Sequence, residues 1–413
     1  MRTCVSLGAT VLPGSVASAS SQRTSPARIL AVRFARIGDI LFTTPALECL
    51  AEAFPKARID YLTTPYGREV IGCHPAVADV VEFNRGWILP DYLWRKHRLC
   101  QEIQSRRYDV AVIFESRTKT RRMLERLFRA AGVRHVVSEH LQPGPTSETR
   151  PLHTCQRHQA MLAALGISAD ERPYTYHYAA RHVEAARALL GRHGVDETGG
   201  TRPPLVGMQV GSHYSMLPSW FFWYGRHRHY KNWPFERWSE LGTRLAREFG
   251  ARSVLTGAGE EREIVLRIAA AMDAPEELRP IVVAGETSIA ELGALLDDLD
   301  LFISVDTGSM HLASALGVPT LALFGPTNPA RHGPYRRSET TRVLRTGITC
   351  SPCHSRERKR CPLNRCLTEL SVAQVFRAAK AGLEGEMAPA SRAGPAASGF
   401  SSTERMEDPP PTL

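Results

Sequence analysis

Asp39 stands where a run of strand character gives way to helix, and that placement is the first chemical lead in the sequence. Ile29-Leu30-Ala31-Val32-Arg33-Phe34 reads as a strand, Ala35-Arg36-Ile37-Gly38-Asp39 as a turn, and Ile40 to Leu47 as the helix that follows. A carboxylate at such a turn can cap the helix. It can equally act as a general base, because an Asp whose charge is stabilised by a helix N-terminus still accepts a proton late in a displacement. A second constellation is Ser304-Val305-Asp306-Thr307-Gly308-Ser309-Met310-His311, followed by Leu312 to Val318 and by Pro319 to Thr327. Here a strand ends in a small polar turn and a helix begins, which leaves free N–H groups and a positive dipole end suited to a diphosphate. His311, one turn in, can point at the same anion or simply pack. Lys231-Asn232-Trp233-Pro234 precedes a helix starting near Phe235, so Lys231 can neutralise a leaving diphosphate.

The elements that must position these residues follow from periodicity. Strands are expected near 29–34, 57–64, 77–83 and 108–115, with amphipathic stretches between them. A Gly/Pro/Thr-rich pause at Gly194 to Pro204 reads as a linker. The alternation restarts with Leu205 to Val210, Ser253 to Thr256, Ile281 to Ala284, Leu301 to Val305 and Thr320 to Phe324, and a helix over Ser371 to Leu383 closes it. The length of 413 residues exceeds what one hydrophobic core supports. The expectation is therefore an α/β protein of two doubly wound domains, 28–193 and 204–383, with facing strand ends that form a ligand cleft. Residues 1–27 and 384–413 have the composition of disordered extensions.

Gly257-Ala258-Gly259 begins like a dinucleotide fingerprint, but Arg262 stands in the place of the third glycine, which removes the support for NAD. A Glu in this first helical turn can instead bond ribose hydroxyls or merely complement the helix dipole. The formal charge of +10 favours phosphorylated substrates, nucleic acid or an anionic membrane surface. No zinc-finger, RNA-recognition or helix-turn-helix signature accompanies it, so no nucleic-acid partner is expected. No apolar run reaches the ~18 residues of a transmembrane helix. Nine cysteines, unevenly spread, do not make a disulfide framework and fit a reducing cytoplasm.

Taken together, the segments from Ile29 to Leu383 resemble glycosyltransferase family 9, the ADP-heptose:lipopolysaccharide heptosyltransferases; Arg36 to Leu47 and Ser304 to Pro329 carry the likeness. The resemblance implies the GT-B fold, two facing Rossmann-like domains, and inverting transfer that requires no cofactor. It implies Asp39 as the base, Lys231, Thr307, Gly308 and His311 on the donor diphosphate, and Asp306 on the donor sugar or ordering the turn. Glu261 falls on the ribose and Thr287 on the adenine. On the acceptor side, Lys119 in Ser116-Arg117-Thr118-Lys119-Thr120 matches a position that meets an acidic core sugar. Arg121, Arg122 and Arg126 extend the basic character along the same helix. The expected partners are ADP-heptose or a related nucleotide sugar and a lipopolysaccharide core acceptor of the lipid A/Kdo type. The expected location is the cytoplasm, at the cytoplasmic face of the inner membrane.

Two features depart from the family pattern. An aromatic and basic insert occupies 212–230, including Trp220-Phe221-Phe222-Trp223-Tyr224, and reads as a lid or a membrane-contacting loop. Cys350, Cys353, Cys361 and Cys366, within the segment 350–366, read either as a structural zinc or iron site or as reduced thiols. A nucleotide-sugar epimerase of similar architecture would need the same diphosphate site but no acceptor. A non-catalytic nucleotide-sugar-binding protein would have no use for Asp39.

Overall fold

The computed structural model describes residues 10–11, 25–84, 89–139, 152–195, 202–211, 231–335, 339–353, 361 and 364–387. The first sheet is built from β1 (Thr10–Val11), β2 (Arg28–Val32), β3 (Arg58–Thr63), β4 (Asp79–Glu82), β5 (Val110–Ile113) and β6 (His135–Ser138), in the order β1-β6-β5-β2-β3-β4. The second contains β7 (Leu205–Gln209), β8 (Arg252–Thr256), β9 (Ile281–Val282), β10 (Leu301–Val305), β11 (Thr320–Leu323) and β12 (Thr341–Leu344), in the order β12-β11-β10-β7-β8-β9. Every pairing is parallel except β1 with β6. Strands such as Leu205–Gln209 and Leu301–Val305 are buried along their whole length, as parallel strands covered on both faces must be.

The parallel winding of each sheet begins in its middle. β2 lies between β3 and β5, and β7 between β8 and β10, so the winding reverses there and opens a crevice at the carboxyl ends of those strands. The turns carrying Asp39 and Asp306 leave β2 and β10 at these two reversal points. The expected strands are present, with β6 and β12 added. His135-Val136-Val137-Ser138 and Thr341-Arg342-Val343-Leu344 are too short and too mixed in polarity to stand out from their neighbours. Thr10–Val11, inside the segment expected to be disordered, pairs with Val137 and Ser138. The closing helix is Val372–Leu383, started by Ser371 in a capping box with Gln374.

The helices Leu89–Arg106 and Thr118–Ala130 cover one face of the first sheet, setting Leu99, Ile103, Leu124 and Phe128 over Leu30, Val32 and Ile113. On the other face the core does not stop at the domain boundary: Ile29, Leu41 and Phe42 belong to one apolar cluster with Leu295, Leu312 and Ala313 of the second half. Phe42 is its hub, with ring centroids 4.9 Å from His311, 5.0 Å from His153 and 5.6 Å from Tyr174, all edge-on. The segment around Tyr174, Tyr176 and Tyr178 straps the halves together. Its hydroxyls reach His311 Nδ1 at 3.3 Å, the Ile289 carbonyl at 3.4 Å and Asp297 Oδ2 at 2.7 Å.

The starts of the helices Ile37–Leu41 and Gly308–Leu316 press against each other, and glycine makes this possible. A Cβ on Gly38 would lie 2.5 Å from His311 Cδ2, and one on Gly308 would lie 2.8 Å from both Cβ and Cδ1 of Ile37. Gly308→Ala is therefore expected to force the helix starts apart at a cost of about 1–3 kcal/mol. Calorimetry should register this as a lowered melting temperature, and an unaltered melt would show that the contact yields freely.

Candidate active site in the interdomain cleft

Asp39 is the third residue of the helix Ile37–Leu41, and the N-cap position belongs to Arg36, whose side chain makes no cap hydrogen bond. Capping is thus not what Asp39 does here. Its Oδ1 accepts from Arg33 Nη2 at 3.0 Å, and its side chain remains 37% exposed while that of Arg33 is 6% exposed. Arg33 is fixed in turn by β5: Nη1 donates to the Phe114 carbonyl at 2.5 Å and lies 3.7 Å from Glu115 Oε1. A buried guanidinium therefore aims a solvent-facing carboxylate from the reversal point between β2 and β5.

Across the cleft, Lys231 Nζ donates to Asp306 Oδ2 at 2.6 Å and to the Asp306 carbonyl at 3.3 Å. Burial opposes ionisation of Asp306, but Lys231 and His311 outweigh it and hold the carboxyl below the usual carboxylate range. Lys231 thus arrives already paired, with one of its three donors left over. Thr307 is the N-cap residue of Gly308–Leu316, yet its side chain does not cap the helix. The Thr307 hydroxyl instead joins Ser304 Oγ at 3.0 Å and Ser309 Oγ at 2.9 Å, so no side-chain cap closes the positive end of this helix. Burial lowers the His311 imidazole to about 4, which makes it a neutral hydrogen-bonding group at physiological pH rather than a cation.

Glu261 is buried beside the ends of β7 and β8, where its Oε2 accepts from Gln209 Nε2 at 3.2 Å and from the Ala258 amide at 2.9 Å. A Cβ on Gly285 would lie 2.8 Å from Gly259 Cα, so the turns after β8 and β9 meet backbone to backbone. Thr287, half-buried, follows directly and precedes Ser288, the cap of Ile289–Asp297. Lys119 and Arg122 are exposed at the start of the helix after β5, whereas Arg121 is buried with Glu125. Asp39, Lys231, Asp306 and His311 share one electrostatic neighbourhood. Glu261 and Thr287 mark the β8 and β9 side, and Lys119 and Arg122 the start of the helix after β5.

Sequence reasoning missed Arg33, His153, Thr154 and His332. The His332 imidazole, lowered by burial, feels the charges of both Asp39 and Asp306, and its Nδ1 lies 3.3 Å from Thr154 Oγ1. Its sequence signal is slight: Asn328 caps the short helix Pro329–His332, just past the polar run already singled out. The aromatic and basic insert at 212–230 lies outside the described residues.

The cysteine expectation left a metal site and reduced thiols open. Among the described residues, which include Cys350, Cys353, Cys361 and Cys366, no three or more His, Cys, Asp or Glu side chains converge as metal ligands. Cys353 Sγ donates to the Cys350 carbonyl at 3.2 Å and Cys366 Sγ to Asn364 Oδ1 at 3.4 Å. Burial, with Cys353, Cys361 and Cys350 nearby, pushes the Cys366 thiol up to about 12.

Two Rossmann-order sheets facing across a cleft make the arrangement of a GT-B fold. Residues 157–363 match the model of glycosyltransferase family 9 (heptosyltransferase), and the chain belongs to that family. It is 29% identical over 335 residues to lipopolysaccharide heptosyltransferase 1 of Pseudomonas aeruginosa, a match covering 79% of this chain and 86% of that one. Among solved structures it resembles a family 9 glycosyltransferase from Veillonella parvula, with a TM-score of 0.71, 23% identity and coverage of 86% and 97% of the two chains. It also resembles the Escherichia coli ADP-heptose lps heptosyltransferase II, with a TM-score of 0.65, 20% identity and coverage of 87% and 99%.

Two outcomes follow from this electrostatic arrangement. Lys231→Met strands the buried Asp306 charge and should destabilise the fold by about 3 kcal/mol, read as a shifted urea midpoint; a midpoint at the wild-type value would show that Asp306 does not depend on Lys231. Burial also lowers His158 to about 3 and His153 to about 4, alongside His311. Histidines held neutral in the fold add stability that is complete above their unfolded value near 6.5, and it is lost as pH falls toward 4. Each contributes a slope of about 1.4 kcal/mol per pH unit in that window. His158→Asn should remove one such slope from unfolding curves taken between pH 7 and 4.5, and an unchanged pH dependence would contradict the assignment.

Proposed function

We propose that the protein transfers a heptose from ADP-heptose to a lipopolysaccharide core acceptor of the lipid A/Kdo type, inverting the anomeric centre. The similarity to lipopolysaccharide heptosyltransferase 1 and to the ADP-heptose-named E. coli enzyme supports the donor and the acceptor class. The observation that carries the mechanism is the pairing across the cleft of a solvent-facing Asp39, aimed by Arg33, with the uncapped start of Gly308–Leu316.

In this reading the diphosphate sits on the backbone at Thr307 and Gly308. The remaining donor of Lys231 takes up charge as the ADP departs, and His311 contributes a neutral hydrogen bond. Asp306 holds Lys231 in place and orders the turn. Glu261 and Thr287 line the ribose and adenine end. Asp39 removes the proton of the acceptor hydroxyl as it attacks from the face opposite the diphosphate, and that single displacement inverts the sugar. Lys231 and the helix start carry the leaving-group charge, so the step is assigned without a metal. Lys119 and Arg122 receive the acidic core sugar. The reaction belongs in the cytoplasm, at the inner face of the membrane that bears the acceptor.

The test is to incubate the protein with ADP-heptose and a defined core acceptor and to measure ADP release and product mass. Asp39→Asn leaves an oxygen for Arg33 but no base, so single-turnover transfer should fall by about 10²-fold or more while the melting temperature and ADP affinity hold. Near-wild-type transfer by this variant would falsify the role of Asp39.

A further inference from the structure

The helix Leu89–Arg106 buries Leu99 and Ile103 against the first sheet, so its opposite face should be polar. Leu93 and Trp94 break that rule, each 55% exposed. One turn on, the Arg98 guanidinium carbon lies 4.9 Å from the Trp94 ring centroid. The acids of this helix are already engaged, Asp91 by Arg95 at 2.8 Å and Glu102 by Arg106 at 2.9 Å, which leaves the cations Lys96 and Arg98 in excess.

The neighbouring helix Thr118–Ala130 lies on the same face of the sheet and packs against Leu89–Arg106. It exposes Lys119, Arg122, Arg126 and Arg129 at helical spacing, while its acid, Glu125, is buried with Arg121. None of these four cations makes an ion pair among the described residues. Both helices start at the carboxyl edge of the sheet, the edge that carries Asp39. The two packed helices thus expose an apolar pair and a row of like charges on the same side of the sheet. Such a surface fits a layer that is anionic on top and apolar a few ångströms below. Leu93 would gain nothing from a polynucleotide, which offers stacking and phosphates but no aliphatic layer.

We propose that this face, with Leu93 and Trp94 as the inserting pair and Arg126 and Arg129 in the basic row, docks on a bilayer containing anionic lipid. A lipid-tethered acceptor then enters at the edge where Lys119 stands; that last step rests on the transfer reading above, and the docking does not.

The test is co-sedimentation of the full chain with vesicles of phosphatidylglycerol and phosphatidylethanolamine, compared with phosphatidylcholine alone. Binding should favour the anionic vesicles and weaken with salt. Leu93→Ser/Trp94→Ser and Arg126→Glu/Arg129→Glu should each weaken it by about tenfold or more, with melting temperature and ADP affinity at wild-type values. The proposal is overturned by equal binding to both compositions, by no binding, by either double variant binding like wild type, or by RNA binding in preference to vesicles. Transfer to a lipid-free acceptor is read separately. Its absence alongside normal vesicle binding strikes the transferase reading, and its presence alongside failed vesicle binding strikes the docking.

Discussion

The contact between two helix starts, Gly38 against His311 and Gly308 against Ile37, is what the rest of the molecule depends on. Each start lies at the reversal point of its own sheet, where a parallel fold offers a crevice. Bringing the two together makes one site from two half-sites, one with a carboxylate and one with free helix-end amides. The absence of a side chain at both glycines lets the backbones come this close, and Phe42 fills the space behind them with its ring against His153, Tyr174 and His311.

Charge is then managed separately on each side. Arg33 and Asp39 belong to the first half and Lys231 and Asp306 to the second, so each carboxylate has its cation before any ligand arrives. The two pairs differ in burial. Asp306 is enclosed with Lys231, whereas Asp39 faces solvent. Histidines in the same region add hydrogen bonds without adding charge, because enclosure keeps them neutral.

Much of this was legible in the sequence. Continuous apolar runs ending in small polar turns located β2 and β10, and with them Asp39 and the stretch from Asp306 to His311. The partners of those residues were not legible, because they come from distant positions: Arg33 is tied to Phe114 and Glu115, and His332 to Thr154. A capping role for Asp39 was a fair expectation from residue type, but the helix begins at Ile37, which puts Arg36 in the cap position. The cysteines have a spacing that invites a metal set, and among the described residues no three or more ligating side chains converge. β6 and β12 were overlooked because a four-residue segment of mixed polarity carries too little periodicity to be read alone.

The apolar cluster that runs from the first sheet through Phe42 to Leu312 also governs how the molecule can move. Pulling the halves apart would uncover Phe42, at about 1.5–3 kcal/mol for that side chain alone, and would break the tyrosine strap as well. A rotation that keeps Phe42 seated uncovers far less. The cluster therefore sets the cheapest axis for relative motion of the two halves, a rotation about Phe42 rather than a separation.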